Sequence, residues 1–74
     1  MKKTQVVTGK DLVERASWEF DDYYGWIHLN SVSDYGFWVL TWPKHCQTTH
    51  HLSDCYIEGP FETEEEAEKY AFSV

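Results

Sequence analysis

The sequence predicts an α+β domain: a two-layer fold in which a three-stranded antiparallel meander carries two helices on one face, in the order α-β-β-β-α. Three observations predict it. Leu12, Val13, Ala16 and Phe20 recur at helical spacing, three later runs have strand composition, and residues 64–72 read as a capped amphipathic helix. Two helices on one side of a small antiparallel sheet is a standard layered solution.

The first helix follows from Thr8, which stands three residues before Asp11 at the spacing of an N-terminal cap. Trp18 falls off its apolar stripe, and Asp21-Asp22-Tyr23-Tyr24-Gly25 is poor helix material that ends it. Gln5-Val6-Val7 is compatible with a short strand beforehand, without deciding for one. Trp26-Ile27-His28-Leu29 alternates and is read as the first strand. Gly36-Phe37-Trp38-Val39-Leu40-Thr41-Trp42 is β-branched and aromatic and is read as the second. Residues 30–35 have turn composition, and Pro43 stops the second strand because it has no N–H for the ladder. A loop through Asp54 leads to the third strand, Cys55-Tyr56-Ile57-Glu58. In the last helix Thr63 caps, Glu66 stands three residues on, and Glu64, Glu65 and Glu66 occupy the first turn, where the helix dipole favours negative charge. Its apolar stripe is Ala67, Tyr70, Ala71 and Val74.

With 74 residues the chain is expected to be one domain, residues 1–74, with a small core. Four Trp, five Tyr and four Phe supply much of that core, since each ring buries roughly 150–250 Å². The stretch after Met1-Lys2-Lys3 is too short and polar for a secretion signal, and no apolar run approaches the ~20 residues of a membrane span. A cytoplasmic setting is expected, and there thiols stay reduced.

The net charge is -7. Residues 1–20 are near balance, with Lys2, Lys3, Lys10 and Arg15 against Asp11, Glu14 and Glu19. Beyond them only Lys44 and Lys69 offset the remaining acids, which concentrate in residues 62–68. Such a surface repels phosphates, which argues against direct nucleic-acid binding, and attracts a basic protein surface.

Helix–strand–strand–strand–helix at this length resembles the double-stranded-RNA-binding domain. That family's RNA contacts lean on lysines at the start of its second helix. The positions here read Glu64-Glu65-Glu66, so the resemblance implies a topology without the activity. The segment from Ile57 to Glu68 is similar to a strand-to-helix ending in small proteins of phage or prophage origin. Size, acidity and aromatic content also resemble phage-encoded inhibitors of host defence, such as anti-CRISPR proteins and nucleic-acid mimics. The resemblance implies an inhibitor that occludes a nucleic-acid-handling host protein.

Cys46, His50, His51 and Cys55 are residue types that a tetrahedral zinc site uses, although all lie in one loop rather than in close pairs from two elements. A zinc-binding protein is therefore one alternative, a Cys46–Cys55 bridge a second, and two free thiols the reading a reducing compartment favours. No nucleophile elbow, Gly-rich phosphate loop or metalloprotease pattern is present, so no catalytic residue is assigned, no enzyme is expected and no cofactor is implied. His28, a lone strand histidine in this reading, is taken as structural.

The aromatic surplus points to protein binding. Strand residues alternate between faces, and residues 37–42 are apolar on both. One set packs under the helices, and the other lies beside Trp26 and Tyr56, either on an open face or covered by Tyr23-Tyr24 or the 44–54 loop folding over it. A large apolar patch of that kind marks an interface. The expected partner-binding residues are Trp26, Trp38 and Tyr56, with Glu62, Glu64, Glu65 and Glu68 as a phosphate-like patch, to which Asp21 and Asp22 are candidate additions. A homodimer using the same aromatic face is the competing expectation.

Overall fold

β2 (Phe37–Trp42) is the middle strand of the sheet in a computed structural model that describes residues 3–45 and 51–72. β1 (Lys3–Thr8) pairs antiparallel with it on one side, from Lys3 opposite Trp42 to Thr8 opposite Phe37. β3 (Tyr56–Phe61) pairs antiparallel on the other, Leu40 opposite Ile57 and Thr41 opposite Tyr56. The class is α+β, a three-stranded antiparallel meander with helices packed on it. The order is β-α-α-β-β-α, with α1 (Gly9–Glu19), α2 (Tyr23–Leu29) and α3 (Glu64–Phe72).

Two helix starts follow their local chemistry. Thr8 is both the last residue of β1 and the cap of α1, its Oγ1 accepting the Asp11 N–H at 3.1 Å. Thr63 does the same for α3, accepting the Glu66 N–H at 3.1 Å. Each such cap satisfies one of the orphan donors of a first turn.

Two expectations about the elements need correction. Residues 26–29 are helical, so the α-β-β-β-α order that resembled the double-stranded-RNA-binding domain is not the order of this chain. The Asp22 carboxylate caps α2 by accepting the Gly25 N–H at 3.2 Å, and the Trp26 N–H donates to the Asp22 carbonyl at 3.2 Å. Tyr23, Trp26 and Ile27, spaced i, i+3, i+4, turn inward together. Four alternating residues do not separate that pattern from a strand. The third strand is instead β1, whose Gln5-Val6-Val7 stretch was compatible with strand from the start.

The second correction concerns the layers. Trp38, Leu40 and Trp42 point to one face, where they form the main core with Leu12, Ala16, Val32 and Leu52, bordered by Val13, Phe20, Tyr23, Trp26 and Ile27. That is the side of α1 and α2. Val39 alternates to the opposite face and is fully buried there, as is Ala67 of α3, both outside the main cluster. α3 packs on β1, β2 and β3, and its Tyr70 ring meets Phe61 at 5.3 Å. The helices therefore divide between the faces. A central strand apolar on both sides requires a cover on both, and α3 supplies the second.

Gly59 shows how tightly the main core is closed. It sits at φ 151°, and a Cβ there would lie 2.8 Å from the Trp38 ring. The pairing register shifts between Phe37 and Val39, so the extra β3 residue lets Phe61 face the same way as Phe37.

Candidate functional site

Both faces of β2 are covered, so the open aromatic face does not exist as expected. Trp38 is 2% exposed, and its Nε1–H donates to the Tyr35 carbonyl at 3.0 Å. It is a core residue, not a contact residue. Trp26 is half-buried at the edge of the same core, stacked on Phe20 with ring centroids 5.2 Å apart. Tyr56 alone of the three predicted rings stands in solvent, 69% exposed.

Tyr56 belongs to the α3 side of the sheet, because it pairs with Thr41, two residues from Val39. Glu58 alternates onto that same side and is exposed. Glu62, Glu64, Glu65 and Glu68 are all exposed, as is Glu66. Phe72, at the other end of α3, is 73% exposed, and Tyr70 is partly so. One side of the molecule thus combines solvent-facing rings with carboxylates on β3 and α3. Asp21 and Asp22 lie before α2, on the helical layer across the sheet, so they do not extend this acidic group. The burial of Ala67 orients α3: with that side down on the sheet, Glu65 points away from it and Glu66 and Glu68 flank the helix, while Glu64, one turn before Ala67, is exposed in the first turn.

A second surface lies along α1. Trp18 is 84% exposed, more than any other large hydrophobic side chain described. It stands between two shallow grooves. One, of about 230 Å³, is lined by Val7 of β1 and by Asp11, Glu14, Arg15 and Trp18. The other, of about 400 Å³, is lined by Arg15, Trp18, Glu19 and His51. Arg15 spans the gap between helix and strand, its Nη1 donating to Gln5 Oε1 at 3.3 Å. Trp18 was not among the predicted contact residues, although its position off the apolar stripe of α1 was the available signal. A large ring on the wrong side of a docked helix must meet solvent or a partner.

The groove's lower end is tied to the loop before β3. The Glu19 carboxylate accepts the Leu52 N–H with both oxygens, and His51 Nδ1 lies 3.5 Å from its Oε1. The Trp42 Nε1–H donates to the His51 carbonyl at 3.0 Å, and Leu52 drops into the core. Leu52 falls within the segment expected as a loop through Asp54, and its aliphatic chain anchors that loop in the core.

Of the predicted zinc set, Cys46 and His50 lie outside the described residues, as does one end of the Cys46–Cys55 bridge. Cys55 is half-buried, and its Sγ–H donates to the Leu52 carbonyl at 3.3 Å. Burial pushes its thiol up to about 11, with the nearby Glu19 and Asp54 charges adding to the rise and Arg15 opposing it. That holds Cys55 in the protonated form near neutrality, where a thiol is a poor nucleophile. Among the described residues no group of His, Cys, Asp or Glu is arranged to hold a metal ion. Among them, too, no helix is long and apolar enough to cross a membrane.

Comparison with protein-family models, curated proteins and solved structures finds no match to this chain.

Proposed function

We propose that the chain is a small, non-enzymatic protein-binding module whose contact surface is the β3–α3 side. The observation that carries this reading is the coincidence on one side of exposed rings, Tyr56 and Phe72, with the exposed carboxylates Glu58, Glu62, Glu64, Glu65 and Glu68. Rings supply contact area at low entropic cost, and tyrosine is enriched at binding hot spots. Carboxylates of one sign speed the approach of a basic partner more than they hold it. The partner is a protein with a basic surface of the kind that handles nucleic acid, and the mode of action is steric occlusion of that surface. This is the action expected of a phage or mobile-element inhibitor of host defence.

The test is affinity capture from a lysate at rising salt, with partners identified by mass spectrometry and association measured on the purified pair. Charge reversal of Glu64, Glu65 and Glu68 to Lys is expected to slow association by about tenfold or more at low salt, converging with wild type as salt rises. Tyr56→Ala is expected to raise the dissociation rate. A partner captured equally well by both variants would show that the surface has been misplaced.

A further inference from the structure

We propose that the free edge of β1 and the groove beside Trp18 form an interface between two copies of this chain, joined by antiparallel β1–β1 pairing about a two-fold axis. β1 is an edge strand, and its sequence Lys-Thr-Gln-Val-Val-Thr has neither a proline nor a bulge and carries charge only at Lys3. Those are the devices by which edge strands normally refuse a partner. Directly beside that edge, the groove lined by Val7 and the Asp11–Trp18 flank of α1 is open, and Trp18 stands over it in solvent. A strand added to β1 would lay its side chains along this flank and cover the ring.

Charge complementarity makes a second copy the occupant. The Arg15–Gln5 hydrogen bond sets the middle of α1 level with the middle of β1. A two-fold axis normal to the sheet and level with Gln5, which sets Gln5 of each copy opposite Gln5 of the other, therefore brings the two α1 helices side by side in opposite directions, crossing near Glu14 and Arg15. Glu14 of each copy then meets Arg15 of the other, and Trp18 of each lies toward the Asp11 end of its neighbour. A site that is its own complement under two-fold rotation is what an isologous dimer requires. It is also where two chains of net charge -7 can best approach, because Lys3, Lys10 and Arg15 balance Asp11, Glu14 and Glu19 there. The result is a six-stranded sheet, with β3 of each copy at an outer edge and α3 on the face opposite α1. This dimer does not depend on the β3–α3 reading.

Light scattering on the size-separated full chain, over a range of micromolar concentrations, tests it. Wild type is expected at twice the 8.8 kDa protomer mass. Trp18→Asp, at an exposed position that keeps the fold by circular dichroism, is expected to weaken dimerisation by about thirtyfold or more, as removal of a central hot-spot tryptophan does. Arg15→Glu or Glu14→Arg alone is expected to weaken it, and the double exchange E14R/R15E to restore it. A monomeric wild type would overturn the proposal, as would a dimer indifferent to Trp18→Asp or a double exchange that fails to rescue. Loss of dimerisation in Trp18→Asp with partner capture through β3–α3 unchanged would separate the two surfaces.

Discussion

Glu19 and Leu52 are 33 positions apart, yet the Glu19 carboxylate receives the Leu52 N–H on both oxygens, at 2.9 and 3.0 Å. The bond fastens the end of α1 to the loop that drops Leu52 into the core. Glu19→Ala is expected to leave that N–H without its partner and to cost about 1–3 kcal/mol of stability. Leu52→Ala, which empties a buried site, is expected to cost about 2–5 kcal/mol. Urea denaturation measures both. The two changes should fall short of additive in the double variant, because they loosen one loop.

Gly59 is expected to tolerate no side chain. An added Cβ would meet the Trp38 ring at 2.8 Å on a backbone at φ 151°, so Gly59→Ala combines strain with a clash against the core. Thermal denaturation should show a loss of more than about 1 kcal/mol. A melting temperature equal to wild type would mean that the ring moves aside without cost.

Cys55 should be a slow thiol. With its pKa raised to about 11 by burial, alkylation in a Cys46→Ser background is expected to be sluggish near neutrality and to accelerate only as pH climbs toward that value. Between the ordinary 9.0 and about 11 the folded chain keeps this proton more often than the unfolded chain does. Unfolding therefore releases protons in that window. The stabilisation tied to the protonated thiol is fully present below 9.0 and is lost as pH rises through about 11. Comparing urea midpoints of Cys46→Ser with and without Cys55→Ala across that window isolates the contribution.

The two threonine caps give a matched pair. Thr8→Ala and Thr63→Ala are each expected to cost about 1 kcal/mol. Thr8→Ala should cost at least as much as Thr63→Ala, because Thr8 also ends β1 opposite Phe37. Denaturant midpoints at constant slope would record it.

Much of the fold was legible in local chemistry. The bounds of α3, the end of β2 at Pro43 and the caps at Thr8 and Thr63 follow from signals a few residues long. α2 was misread because Trp26-Ile27-His28-Leu29 alternates while Tyr23, Trp26 and Ile27 also fit a helix, and the deciding Asp22 cap lies before the window. The division of helices between the faces is a long-range fact, hinted at by a central strand apolar on both sides but not assigned by it. Exposure at the candidate site was legible where charge alone decides it, as for the α3 glutamates. It was not legible for Trp38, because alternation tells which residues share a face and not which face is covered.

With β2 roofed from above and below, a single layer of backbone separates two apolar chambers, one around Trp42 and one around Ala67. Val39 and Ala67 stand apart from the main cluster, so substitutions on the outer surface of α3 leave the larger chamber undisturbed. One wall of this protein can thus change its outward side chains while the rest keeps its shape.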